Sequence, residues 1–166
     1  MLSNHLVEMV SHHWEEIASR AVCRVRRDAP LLGLGQYPES DLRARARAVL
    51  ENLGTWLVTN DKEIALRYER LGRLRFEEGV PLHELIYGWQ VLKSAMVQFV
   101  REREHTGSPL EVYADRELQR GADRIFDVMT YAVVRGYEQA MRDEPEKFGS
   151  ACKPVVSAPE FGPTPF

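Results

Sequence analysis

Gly72-Arg73-Leu74-Arg75-Phe76-Glu77-Glu78-Gly79-Val80-Pro81-Leu82-His83-Glu84-Leu85-Ile86 reads as one helix ending, a two-residue corner, and a second helix beginning. Gly79 fits the residue just past a helix C-terminus, because glycine enters the left-handed region without a Cβ penalty. Pro81 fits the opening of the next helix, where its missing N–H would have had no partner. Val80 precedes a proline and is biased to extended backbone, which keeps the two helices distinct.

Helical periodicity continues on both sides of this corner. Upstream, Ile64, Tyr68, Leu71 and Phe76 form the apolar side of one helix, with Arg73 four residues before Glu77. Thr59-Asn60-Asp61 closes the helix before it and caps this one. That earlier helix starts at a Ser40 cap and carries the clearest stripe in the chain: Leu42, Ala46, Val49, Leu50, Leu53, Trp56 and Leu57. Further upstream, Ser3 caps a helix reaching about Arg27, with Leu6, Val10, Trp14, Ile17, Ala21 and Val25 on one face. Arg24, Arg26 and Arg27 crowd its last turn, where cations meet the negative end of the helix dipole. Residues 28–39 hold Pro30, Gly33, Gly35 and Pro38 and read as a loop, with Leu31, Leu32 and Leu34 tucked onto the core.

Downstream of the corner, Leu85, Trp89, Leu92, Met96 and Phe99 mark a helix from Pro81 to about Arg103. Gly107 stops the pattern, Ser108 caps and Pro109 opens a last helix to Met141, about 50 Å long if unbroken. Its stripe is Leu118, Ala122, Ile125, Met129, Ala132, Val133, Gly136 and Ala140. The length calls for either a break near Asp115 or a projection beyond the bundle. Gly121 and Gly136 are candidate points of close helix approach. Residues 143–166 carry Pro145, Pro154, Pro159, Pro163 and Pro165 and read as a flexible tail without a core of its own. No repeat and no period-two alternation occurs. The expected fold is all-α: a bundle of about five amphipathic helices over residues 1–142, a long last helix and a disordered C-terminal tail.

Length and composition agree with one soluble domain: 166 residues, 44% hydrophobic and 28% charged. A net charge of -3 gives no ground for a phosphate-neutralising nucleic-acid binder. No stretch reaches the roughly 20 apolar residues of a membrane span, and no signal peptide is read at the N-terminus. The two cysteines, Cys23 and Cys152, do not make a disulfide framework, which fits a reducing cytoplasm.

Chemistry-bearing patterns are sparse. A di-iron carboxylate bundle needs two Glu-x-x-His pairs, and the chain has one such spacing, Glu102 to His105, in a charged helix end. Glu8, His12 and Glu16 share a face at i, i+4, i+8, and with His13 they are the candidate metal or proton-switch residues. The plainer reading is a polar surface stripe. His83 could hold a haem iron, against the plainer reading of a surface histidine. Cys23 has basic neighbours but no identifiable base, and no phosphate loop or nucleophile motif occurs, so no catalytic residue is assigned. Arg43, Arg45 and Arg47 read as a solvated face with acidic neighbours. Trp14, Trp56, Trp89, Tyr68 and Phe99 read as core that could also line a ligand cavity.

Tyr68, Gly72, Arg73, Arg75, Gly79, Pro81, Leu82, Leu85 and Leu92-Lys93, with Leu50-Glu51-Asn52-Leu53 and Trp14 ahead of them, carry a family resemblance. Over most of residues 5–142 the chain resembles the sensory N-terminal domain of RsbRD-type RsbT co-antagonist proteins, which also precedes other bacterial signalling modules. The resemblance implies a helical regulatory input domain, without catalytic residues or a cofactor, that passes a signal to an output module. A co-antagonist continues into a phosphorylatable STAS domain. The residues after Met141 are too few for one, so the expectation is either a partner in trans (a kinase, an anti-sigma factor or a STAS-type module) or sensing without an attached effector.

The resulting expectation is a cytoplasmic, non-enzymatic signalling domain that binds a partner or a small ligand. A shift at the Gly79 corner would reposition the last helix. Arg73, Arg75, His83 and Trp89 are the candidate interaction residues, with Arg73 and Arg75 alternatively pairing only with Glu77 and Glu78. Homodimerisation through the first or last helix is part of the expectation. The alternative is a haem- or metal-binding sensor using His12, His13 or His83.

Overall fold

The corner at Gly79 forms as its residue types require. Gly79 has φ 72° and is the one described residue with a left-handed backbone. Its N–H donates to Phe76 O at 2.9 Å, and the Val80 N–H reaches back to Arg75 O at 3.0 Å. This paired closure satisfies carbonyls that the helix end would otherwise strand. Val80 then drops into the core at 2% exposure. The Pro81 carbonyl accepts from the N–H groups of Glu84 and Leu85, which starts the next helix.

The computed structural model describes residues 2–27, 31, 33–103 and 109–148. Six helices account for most of them: α1 (Leu2–His12), α2 (Trp14–Arg27), α3 (Glu39–Val58), α4 (Asp61–Glu77), α5 (Leu82–Arg103) and α6 (Pro109–Phe148). A 3-10 turn at Leu34–Gln36 precedes α3. No strand occurs among the described residues. The expected all-α bundle is therefore present, with six helices in place of about five. The extra one arises because the expected first helix is interrupted at His13. Backbone bonds from His13 N to Met9 O and from Ile17 N to His13 O nearly bridge the break.

Other details depart from expectation. The residue ahead of α3 is Pro38, with no side-chain cap, and Ser40 lies inside the first turn. Asn60 does cap α4, its Oδ1 accepting from Lys62 N at 2.9 Å. α6 does not break near Asp115. It runs 40 residues, about 60 Å at 1.5 Å per residue, to Phe148. Residues 143–148, expected as the start of the tail, instead continue α6; the rest of the expected tail from Gly149 onward, with Cys152, and also His105 and Leu32 lie outside the described residues.

α6 is the spine. α1, α3, α4 and α5 all pack against it, while α2 packs between α3 and α5. Its stripe from Leu118 through Ala122, Ile125, Met129, Ala132 and Val133 is buried, as the period requires. Phe99, Leu50, Leu53, Ile17 and Ile64 complete the centre of the core. Burying side chains of this size contributes about 1.5–3 kcal/mol each.

α4 is held differently from the rest. It lies along α6 in close backbone contact, and its backbone approaches none of α2, α3 or α5 comparably. The closeness has a sequence cause. Gly72 faces the backbone of α6 at Val133, and Gly136 faces the backbone of α4 at Glu69. Two absent side chains let the helices touch main chain to main chain. Around this crossing Glu69 pairs with Arg135 at 3.2 Å and Arg73 with Asp143 at 3.0 Å. The Tyr137 hydroxyl donates to Val80 O at 3.0 Å.

Candidate functional site

With α4 held on α6, a space opens between α4 and the layer formed by α2, α3 and α5. It is a cavity of about 810 Å³. Val22, Leu34, Leu42, Val49, Leu85 and Leu92 supply apolar wall. The size falls within the range of small-molecule sites, roughly 300–1,000 Å³.

Three aromatic residues bridge the space. Tyr68 of α4 meets Trp56 of α3 edge-on, ring centres 5.5 Å apart, and Trp89 of α5 edge-on at 5.4 Å. Edge-to-face rings at this distance add about 0.5–1.5 kcal/mol each beyond burial. This chain of rings joins α4 to α3 and α5 where their backbones stand apart. Tyr68 is 4% exposed, yet no described group accepts from or donates to its hydroxyl. No fully sealed side-chain polar atom lacks a partner among the described residues. The hydroxyl is therefore not sealed off from solvent, and Tyr68 lines the cavity. The indole N–H groups of Trp56 and Trp89, which also line it, have no described hydrogen-bond partner either. Burial pushes the Tyr68 phenol well above the usual tyrosine range, against the pull of the Arg67 charge, so the hydroxyl stays protonated.

The rim is basic. Arg45, Arg67, Arg70 and Arg75 line the cavity together with one carboxylate, Glu63. Arg75 is engaged by Glu78, which also draws Arg45 to 3.6 Å and accepts from the Tyr37 hydroxyl at 3.2 Å. Desolvation pushes the Glu78 carboxyl up, but the Arg75 hydrogen bond and charge, Tyr37 and Arg45 outweigh it and the net shift is downward. The Arg45 guanidinium also stacks 4.1 Å over the Tyr37 ring. Arg67 and Arg70 are exposed and have no carboxylate partner among the described residues. Arg67 lies 5.9 Å from the Trp56 ring centre.

One buried carboxylate supports this wall from behind. Glu84, 2% exposed in the first turn of α5, accepts from Gly33 N at 2.8 Å and Leu34 N at 2.6 Å. These bonds clamp the 3-10 turn, and so Leu34, onto the cavity side of α5. Gly33 fits because a Cβ there would come within 2.5 Å of Pro81 Cδ and 2.9 Å of the Glu84 carboxylate.

The residues singled out from sequence are dispersed. Trp89 lines the cavity and Arg75 stands at its rim. Arg73 reaches away to α6, bonding Asp143 and Gln139 at 3.0 Å each, not Glu77. His83 is exposed in the first turn of α5 and is not part of the cavity lining. The His12 Nδ1 lies 3.0 Å from Glu8 O, and His13 lies beside Arg103 and against the Phe99 ring. Glu16 is engaged by Arg20 and Arg103. Among the described residues, no group of three His, Cys, Asp or Glu side chains is placed to hold a metal ion. Arg43 and Arg47 pair with Glu39 and Glu51 on their own helix, as a solvated face would. Arg45 departs from that face and joins the Glu78 cluster.

Sequence reasoning passed over Glu84, Arg67, Arg70 and Arg124. Glu84 had a signal: Glu84, Gly88, Val91 and Ala95 follow helical spacing along a small-residue face, so an acid at its head is packed against. Arg67, Arg70 and Arg124 had none, because they stand on polar faces that sequence cannot tell from solvent.

Comparison with known proteins gives one family. Neither a curated protein nor a solved structure gives a significant match. No described helix is long and apolar enough to cross a membrane. The family described as RsbT co-antagonist protein rsbRD N-terminal domain matches residues 15–145, which takes in α2 to α5, the Gly79 corner, the whole cavity lining and most of α6. The chain belongs to this family of RsbT co-antagonist rsbRD N-terminal domains.

Proposed function

We propose that this chain is a cytoplasmic, non-enzymatic sensor domain of a stress-signalling pathway. Its input is occupancy of the cavity, and its output is the seating of α4 against α6, read by a regulatory partner in trans. The family name points to a partner-switching module, and a kinase, anti-sigma or STAS-type protein is the kind of partner expected. The observation that carries the reading is that α4 is fixed to α6 but stands off α2, α3 and α5 across an apolar space bridged by three rings. A ligand filling that space changes what α4 leans on, and an equilibrium moves only by the difference in affinity between two arrangements. α6 then carries the change outward. The partner, or a second copy, would engage α6, where Tyr131 and Met141 are exposed.

The test is titration with a neutral apolar fluorophore, N-phenyl-1-naphthylamine, followed by hydrogen exchange with and without it. Saturable binding of one equivalent, with altered protection in α4 and in α6 around residues 133–137, is expected. Absence of saturable binding, or a protection change that leaves α4 and α6 untouched, overturns the reading.

A further inference from the structure

We infer that the cavity takes an amphipathic carboxylate: an apolar chain or ring system lying among the aliphatic side chains, its anionic head at Arg67 and Arg70. This deepens the sensor reading and rests on it, since it assigns the chemistry of the molecule that occupies the same space.

Charge supplies the first argument. The lining holds four guanidinium groups and one carboxylate. Two of the four, Arg45 and Arg75, already share Glu78, while Arg67 and Arg70 carry net positive charge with nothing described to balance it. A cleft lined by one sign of charge with low-dielectric walls concentrates ions of the opposite sign. The planar guanidinium fork matches a carboxylate in both charge and shape.

Hydrogen-bonding capacity supplies the second. Three polar groups on cavity-lining residues, the Tyr68 hydroxyl and the Trp56 and Trp89 indole N–H groups, have no described hydrogen-bond partner and are not sealed off from solvent. Indole can only donate, and the protonated phenol donates as readily as it accepts. A lining in which four guanidinium groups and two indoles donate, against one carboxylate, selects an acceptor-rich head. Arg67 is exposed, lies 5.9 Å from the Trp56 ring centre, and its charge is felt at the Tyr68 hydroxyl. An amine-headed molecule would meet the arginines and find one exposed carboxylate, Glu63.

Shape supplies the third. Much of the wall is aliphatic, from Val22 and Val49 to Leu85 and Leu92, and its charged members Arg45 and Arg75 are already engaged by Glu78. Such a wall accepts a plain hydrocarbon body, and each buried methylene adds to affinity.

The experiment is displacement of N-phenyl-1-naphthylamine by decanoate, decanol and decylamine, all below their aggregation limits. Decanoate should displace most tightly and decylamine least. An Arg67→Gln, Arg70→Gln double variant removes two exposed charges without touching the core. It should weaken decanoate roughly tenfold, the scale of one charge-assisted hydrogen bond, and leave decanol unchanged. Decanol displacing as well as decanoate, or a double variant equal to wild type toward decanoate, overturns the carboxylate inference while leaving the cavity reading intact. Failure of the fluorophore itself to bind removes both.

Discussion

Gly72 and Gly136 sit on opposite sides of one helix crossing, each turned toward the other helix's main chain. A Cβ on Gly72 would come within 2.2 Å of Val133 O, and one on Gly136 within 1.9 Å of Glu69 O. The contact is backbone against backbone, so no flexible side chain is present to give way. In an isolated helix alanine would be better than glycine by about 1 kcal/mol. Here the steric term wins, because overpacking costs about 1–3 kcal/mol or more and the obstacle is a carbonyl. Gly136→Ala should therefore lower stability in urea denaturation. Gly79→Ala meets nothing within 4 Å and should cost only the left-handed backbone penalty, about 1–2 kcal/mol. A Gly136→Ala protein as stable as wild type would show that the helices do not cross this closely.

Glu84→Gln tests the buried clamp. Glu84 Oε2 accepts from both Gly33 N and Leu34 N, and Oε1 lies 3.1 Å from Gly33 N, so an amide that keeps its oxygen at the Oε2 position sets its NH₂ against the Gly33 N–H. The expected loss is about 2 kcal/mol, with amide exchange at Gly33 and Leu34 accelerated more than elsewhere. A uniform change across the chain, with no excess at these two amides, would count against the clamp.

The Glu78 cluster makes a pH prediction. Its folded-state pKa lies below the unfolded value, so its contribution to stability is present above the ordinary value of 4.5 and is lost as pH falls through the folded value. Glu78→Gln removes the group and its pH dependence together. Near neutral pH the variant should be less stable than wild type, and the denaturation midpoints should converge as the solution is acidified below that value. A gap that stays constant into acid would mean that Glu78 acts through packing alone.

Arg124 and Arg73 look alike in sequence and should behave differently. Arg124 bonds Asp61 at 2.8 Å and also the carbonyls of Trp56 and Leu57 at 3.2 and 3.1 Å, closing the C-terminal end of α3 where it turns into α4. Arg73 spans from α4 to Asp143 and Gln139 in an exposed pair. Arg124→Ala should cost about 1 kcal/mol because Leu57 O and Asp61 lose their described partner, while Trp56 O keeps the Thr59 N–H. Arg73→Ala should fall within about 0.5 kcal/mol, the usual value of a solvated ion pair. Equal effects in thermal denaturation would refute the distinction.

The chain's periodicity determined the helices, their inner faces and the turn between α4 and α5. Gly79-Val80-Pro81 leaves the backbone few alternatives, and Leu50, Ile125 and Phe99 could only point inward. The family was legible for the same reason, since its distinguishing residues cluster at that turn. Tertiary structure alone decided that Arg73 would reach α6 and not Glu77, that Arg45 would leave its solvated row for Glu78, and that α4 would stand apart from α3 and α5. A period of 3.6 residues states which side of a helix is apolar. It does not state how near the next helix comes. That distance was set by two glycines 64 positions apart in the sequence and three rings from different helices meeting edge to face, and the cavity is what their spacing leaves.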